Sequence, residues 1–99
     1  METALTHETF SKLLNTKFAI VDAGAGVQLE LIEVSELLTS PRQERFSIVF
    51  RGPNEAPLGQ GMRRFEHPQM GQFVLFLVPI GQGSAGYSYE VVFNRLIKA

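Results

Sequence analysis

Five polar residues in the second half of the chain could bind a ligand or a partner: Arg51, Arg64, Glu66, His67 and Tyr89. An arginine guanidinium binds carboxylate and phosphate groups through two parallel hydrogen bonds. A tyrosine can keep its ring buried while its hydroxyl reaches a partner. If the strands that carry Arg51 and Glu66 pair with each other, these two side chains form an ion pair. Otherwise Arg51 is available to an external carboxylate.

Catalytic and metal-binding chemistry has little support in the spacing of these residues. Glu66 and His67 are adjacent, so on a strand they point to opposite faces and cannot share a metal ion. We expect His67 to be a surface or capping residue. No serine lies in a strand–elbow–helix context, and nothing selects two of the nine glutamates as a catalytic pair. We therefore predict no catalytic residue, no cofactor and no metal, and we favour a protein that is not an enzyme.

The segment GQGSAG at 81–86 has the glycine spacing of a dinucleotide-binding fingerprint. That fingerprint works by placing a pyrophosphate at the N-terminus of the helix that follows it. Here the residues that follow are YSYEVVF, which alternate like a strand. The segment is therefore predicted to be a hairpin loop and not a cofactor site.

The composition is that of one globular domain spanning residues 1–99, with 44% hydrophobic and 19% charged residues. The absence of cysteine excludes disulfides, thiolate metal sites and a cysteine nucleophile. A net charge of -1 gives no basic surface for nucleic acid. The longest apolar run, 73–80, is too short to span a bilayer. We expect a cytoplasmic protein with neither a nucleic-acid nor a membrane partner.

One helix is predicted near the N-terminus, over residues 6–14. Phe10, Leu13 and Leu14 are spaced to share one helix face. Thr6 can cap the first turn, and Asn15 is a plausible stop. We expect this helix to cover one end of a sheet or barrel.

Short apolar runs separated by glycine and proline predict about six strands. After Leu31 the apolar positions shift by one residue, which indicates a β-bulge. Leu37 and Leu38 are expected to continue that strand. The segment 72–80 is apolar on both faces, so it is expected to be covered on both sides or central in a closed barrel. The predicted strands are 17–23, 27–38, 46–52, 62–67, 72–80 and 87–93, with a turn at 24–26.

These elements predict an all-β fold with about six antiparallel strands and one N-terminal α-helix. The strands are expected to be antiparallel because no connection is long enough for a crossover helix. A small barrel or a strongly curled sheet is favoured, because closure removes exposed strand edges. An open β-sandwich is the alternative.

Four phrases of the sequence carry a family resemblance: FSIVFRGP, GMRRFEHP, MGQFVLFLVPIG and YEVVFNR. Together they cover about half of the chain, 46–95, and resemble a family of small uncharacterised bacterial domains. Members of that family are sometimes encoded near phage-tail-collar-like proteins. The resemblance implies a bacterial origin and a link to tail-like particles, but it implies no activity.

Three functions follow from this sequence, in order of preference. The first is a non-catalytic accessory or structural module that contacts a protein partner or further copies of itself, with Arg51, Arg64 and His67 at the rim of the contact. The second is a small-molecule-binding barrel or minor enzyme, with Arg64, Glu66, His67 and Tyr89 around a pocket at one barrel end. A nucleic-acid-binding barrel is the weakest, because the chain has only three lysines.

Overall fold

The computed structural model describes residues 5–22, 27–55 and 58–96. The helix is α1 (His7–Lys12). The strands are β1 (Lys17–Ile20), β2 (Gln28–Val34), β3 (Leu38–Ser40), β4 (Gln43–Gly52), β5 (Gly61–His67), β6 (Gly71–Gly83) and β7 (Gly86–Leu96). The predicted turn at 24–26, and position 23 at the end of the first predicted strand, lie outside the described residues.

Six of these strands close into an antiparallel barrel. The strand order is β2-β1-β5-β6-β7-β4, and an additional pairing between β2 and β4 completes the ring. The prediction of an all-β barrel with one N-terminal helix is confirmed, and the alternative of an open sandwich is wrong. The short strand β3 lies outside the ring and forms a hairpin with β4. Leu38 therefore begins a strand of its own, which corrects its assignment to the preceding strand.

The predicted β-bulge is present in β2. Its register with β4 passes from Leu31↔Phe50 to Glu33↔Val49, so Ile32 is the extra residue. Leu31 faces the core just before the bulge. After the bulge, the opposite side of the strand faces inward, because one extra residue shifts the alternation. Since β2 is the strand that pairs with both β1 and β4, the bend lies where the barrel closes.

Helix α1 covers one end of the barrel. The Thr6 hydroxyl accepts a hydrogen bond from the Thr9 backbone N–H at 3.1 Å, and Asn15 takes a positive φ of 68° just after the helix. The cap at Thr6 was predicted from the sequence, but the predicted stop at Asn15 is wrong, because the helix ends at Lys12 with Leu13 as its C-cap. The helix is shorter than expected, so Leu14 follows it and is 40% exposed instead of sharing its buried face. No helix in the described part of the chain is long and apolar enough to cross a membrane.

Strand β6 is covered on one face only. Leu75 and Leu77 point into the core, whereas Val74 and Phe76 are 43% and 46% exposed. The expectation that this strand is covered on both sides is therefore wrong, and its alternative, a strand of a closed barrel, is confirmed. A barrel strand has one inner and one outer face, so a doubly apolar segment leaves apolar side chains outside.

The segment GQGSAG forms the tight hairpin between β6 and β7. Gly83 pairs with Gly86, and Ser84 and Ala85 make the turn. The segment is followed by strand β7 where the fingerprint needs a helix, so the cradle that a dinucleotide-binding fingerprint provides is not built here. The predicted hairpin is confirmed.

Candidate functional site

Two adjoining grooves on the barrel surface contain most of the polar residues that the sequence singled out. The larger groove has a volume of about 690 Å³ and is lined by Lys17, Ala19, Gln28, Glu66, His67, Pro68 and Gly71. The smaller has a volume of about 340 Å³ and is lined by Lys17, Gln28, Glu30, Arg51, Gly52, Pro53 and Ala85. Because two residues, Lys17 and Gln28, line both grooves, we treat them as one surface and call it the polar groove.

A row of alternating charges crosses the polar groove. Lys17 on β1 pairs in register with Glu30 on β2, which pairs with Arg51 on β4. A guanidinium nitrogen of Arg51 lies 3.4 Å from a carboxylate oxygen of Glu30. The condition for an Arg51–Glu66 ion pair is not met, because β1 and β2 lie between the strands that carry these two residues. A half-exposed pair of this kind stabilises a fold by less than about 1 kcal/mol.

His67 is a buried ionisable side chain, at 4% exposure. Its Nδ1 accepts a hydrogen bond from the Gln69 backbone N–H at 3.1 Å, which assigns the proton to Nε2. Nε2 then donates to the Thr16 hydroxyl at 3.0 Å, and that hydroxyl donates to the Leu13 carbonyl at 2.7 Å. The expectation of a surface residue is wrong, although Nδ1 does cap the turn that follows β5.

This environment makes His67 a structural residue. Burial disfavours the charged imidazolium, so it lowers the pKa of His67 below its ordinary value. The ring also packs on Phe18, with 4.5 Å between ring centroids. Both ring nitrogens are already hydrogen-bonded within the protein. His67 is therefore poorly placed to exchange protons with a ligand in the polar groove, despite lining it.

We expect His67 to make stability depend on pH. The unfolded chain, with an ordinary histidine pKa of 6.5, binds a proton that the folded protein resists. The free energy of unfolding should therefore fall as the pH drops below about 6.5, and level off once the folded His67 is protonated. Urea unfolding between pH 8 and 5 measures this slope.

The variant His67→Asn should remove that slope. At pH 8 it also costs about 1 kcal/mol, because the hydrogen bond to Thr16 is lost, and this difference from the wild type should narrow as the pH falls. The matched control is His7→Asn, since the His7 ring is only half-buried and bonds a single carbonyl, that of Ser35. If His67→Asn keeps the pH dependence of the wild type and His7→Asn loses it, the attribution of that dependence to His67 is wrong.

The other candidate residues lie apart from His67. The Glu66 carboxylate is exposed and accepts a hydrogen bond from the Gln72 side chain at 3.3 Å. Arg64 is exposed on the outer face of β5. Tyr89 is fully buried, and its hydroxyl accepts a hydrogen bond from the Leu58 backbone N–H at 2.9 Å. The structure thus brings Glu66 and His67 to one groove, with Arg51 beside it, but does not gather all five.

Sequence reasoning did not name the residues of a second surface, on the outer face of β5, β6 and β7. Exposure is 60% for Met62 and 58% for Val92, which flank the partly exposed β6 side chains. Met62 is in register with Phe76. The signal was present in the sequence, as the doubly apolar character of 72–80. We call this surface the outer patch and define it as Met62, Val74, Phe76, Val78 and Val92.

The comparisons with known proteins give a family and no activity. The sequence model of a family described as Domain of unknown function (DUF6916) matches residues 5–93. This span includes the barrel strands up to position 93 and the helix that covers one end. No curated protein and no solved structure matches the chain. The expectation of a small domain from an uncharacterised family is confirmed.

Proposed function

Since the chain belongs to the family Domain of unknown function (DUF6916), we propose that it is a non-catalytic accessory or structural module that acts through protein–protein contacts. The family description supplies no reaction or ligand, so the proposal depends on the surface of this barrel. The observation that carries it is the outer patch, where three neighbouring strands present apolar side chains to water.

The outer patch has the character of a contact surface. Isolated exposed apolar residues are ordinary, but contiguous ones on a rigid sheet are typical of interaction sites. Phe76 lies at its centre, and aromatic residues and methionine are enriched in interfaces. Each Å² of apolar surface removed from water contributes roughly 25 cal/mol, so covering this surface favours association.

The polar groove supports the second function less well. Its charges are partly paired with each other, as Arg51 is with Glu30. The imidazole of His67 is held by Thr16 and Gln69. Tyr89, expected at the same pocket, lies in the core instead. We therefore propose contacts through the outer patch, with Arg64 at its rim, in preference to a small-molecule or enzyme site.

The setting that we propose is the bacterial, tail-like one implied by the sequence resemblance. Particles of that kind are built from repeated contacts between a few surfaces. A barrel with one apolar outer face suits such a role, because contact of that face with the same face of a second copy generates a closed pair. Co-purification from the native cell, followed by identification of the retained proteins, tests this setting.

Phe76→Lys is the variant that tests the proposed function. We expect wild-type protein to exceed the monomer mass of 11.0 kDa in size-exclusion chromatography with light scattering, or to retain partners in a pull-down. Phe76→Lys should lose both, because a charge at the patch centre must be desolvated on contact. Thermal unfolding should change little, since the side chain lies outside the core.

The matched control for this test is Leu14→Lys. Leu14 is also apolar and is 40% exposed, but it follows α1 and does not belong to the outer patch. We expect it to behave as the wild type does. A wild-type chain that stays monomeric at high concentration and retains no partner would contradict the proposal, as would equal association by Phe76→Lys.

A further inference from the structure

The arrangement of the outer patch identifies its partner more closely. Resting on the proposed function, we propose that the outer patch binds a second copy of this chain in a two-fold dimer. The inference comes from the positions of two opposite charges relative to the apolar side chains. It names Arg64 and Glu90 as the residues that set the orientation of the two copies.

The apolar part of the patch is symmetric about Phe76. Met62 lies beside Phe76 on β5, as its partner in register. Val92 lies beside it on β7, two residues from the partner of Val78. Val74 and Val78 precede and follow Phe76 on the same face of β6, because side chains two residues apart share a face. The patch is thus a cross of four apolar side chains around one aromatic ring.

Two opposite charges lie at opposite corners of this cross. Arg64 is in register with Val74, and Glu90 is in register with Val78. Arg64 lies one strand away from Phe76 on β5, level with Val74. Glu90 lies one strand away on the other side, on β7, level with Val78. Among the described residues, neither side chain takes part in an ion pair. Both are therefore available to charges on another molecule.

Arg64 and Glu90 define one diagonal of the patch. A two-fold axis that passes over Phe76, lies in the plane of the patch and runs across that diagonal makes this surface complementary to itself. It places Arg64 opposite Glu90 of the partner subunit, and Glu90 opposite Arg64 of the partner subunit. It also places Met62 opposite the partner subunit's Val78, Val92 opposite the partner subunit's Val74, and the two Phe76 rings together. Apolar groups meet apolar groups and each charge meets its opposite, as an isologous contact requires.

The same operation is compatible with how sheets pack. It crosses the strands of the two copies at close to 90°, which is one of the two preferred angles for packed sheets. Barrel closure leaves the ring strands without free edges, so these strands associate through faces and not by edge pairing. In this two-fold arrangement opposite charges meet only if they lie at equal and opposite offsets from Phe76, and Arg64 and Glu90 do.

Charge reversal tests the proposal on the full chain. Arg64→Glu makes both corners negative, and Glu90→Arg makes both positive. Each variant alone then repels itself at both corners, so its dimer dissociation constant should rise about tenfold or more. An equimolar mixture of the two variants should dimerise again, because both corners become attractive. The double variant Arg64→Glu/Glu90→Arg should dimerise as the wild type does.

The outcomes separate this inference from the proposed function. Recovery of the dimer mass in the mixture, measured by light scattering, supports the two-fold arrangement. Single variants that dimerise like the wild type would overturn it, as would a mixture that stays monomeric. If Phe76→Lys abolishes association while charge reversal changes nothing, the patch is a contact surface but its two-fold orientation is wrong. If the wild type is monomeric but retains another protein in a pull-down, and Phe76→Lys does not retain it, then the partner is not a second copy of this chain. The proposed contact function would still hold.

Discussion

Gly86→Ala is expected to lower the free energy of unfolding by about 3 kcal/mol. Gly86 begins β7 with φ at 134°, a conformation that residues with a Cβ rarely adopt. A Cβ at this position would also lie 2.2 Å from the backbone carbonyl oxygen of Gly52 on β4. Because that obstacle is backbone, it cannot move aside as the end of a flexible side chain can. Strain and overpacking each cost roughly 1–3 kcal/mol, so their combined effect should be large.

The other glycine of the same hairpin is the matched control. Gly83 pairs with Gly86 across the turn, but a Cβ there would meet no atom within 4 Å, and its φ is not positive. Gly83→Ala should change the free energy of unfolding by less than about 1 kcal/mol. Urea unfolding of both variants measures the difference. If the two variants are equally stable, the close approach of β7 to β4 does not explain why a glycine is present at position 86.

Phe10→Ala is expected to cost about 3–5 kcal/mol of stability, the range for removing a fully buried phenylalanine ring. Phe10 is a residue of α1, and its side chain is completely buried. Its ring lies 5.4 Å from that of Phe93 and 6.3 Å from that of Phe18, centroid to centroid. Removing it leaves a cavity at the covered end of the barrel, and a barrel closed by cross-strand hydrogen bonds collapses poorly around such a cavity.

Leu14→Ala is the control for the same segment. Leu14 was predicted to share the buried face with Phe10, yet it is 40% exposed. Its replacement should cost about 1 kcal/mol or less. Chemical unfolding followed by circular dichroism tests both variants. If Phe10→Ala and Leu14→Ala lower the free energy of unfolding by similar amounts, burial of the Phe10 ring is not the main contribution of this segment to stability.

Both stability predictions bear on the proposed function. The outer patch can serve as a docking surface only while β5, β6 and β7 keep their register. Gly86 lies at the turn between two of these strands, and Phe10 closes the core beneath them. Variants of either should therefore reduce association through loss of fold, with lowered thermal stability. Phe76→Lys and the charge-reversal variants should reduce association while the fold stays intact.

The glycine-rich segment at 81–86 shows that a motif predicts function only together with the secondary structure that follows it. Its spacing matches that of a phosphate-binding loop, but the alternation of YSYEVVF predicted a strand after it, and the structure has one. The glycine at position 86 does permit a close backbone approach, which is its role in such loops too. Here the approaching group is the Gly52 carbonyl of a neighbouring strand.

Local patterns in the sequence were enough to predict the helix cap at Thr6, the bulge after Leu31 and the β6–β7 hairpin. Each depends on residues within a few positions of one another, through alternation, capping or turn chemistry. The same patterns predicted antiparallel strands, because short connections permit no other arrangement.

Tertiary structure alone decided which strands are neighbours and which apolar face is inside. Alternation separates two faces of a strand, but when both are apolar it does not say which one faces the core, so the exposure of Phe76 could not be read from its spacing. Nor does it give the register of strands far apart in the chain, which is why Arg51 met Glu30 instead of Glu66. Those choices depend on ring closure, in which burying the largest apolar set inside one barrel determines the place of every strand at once.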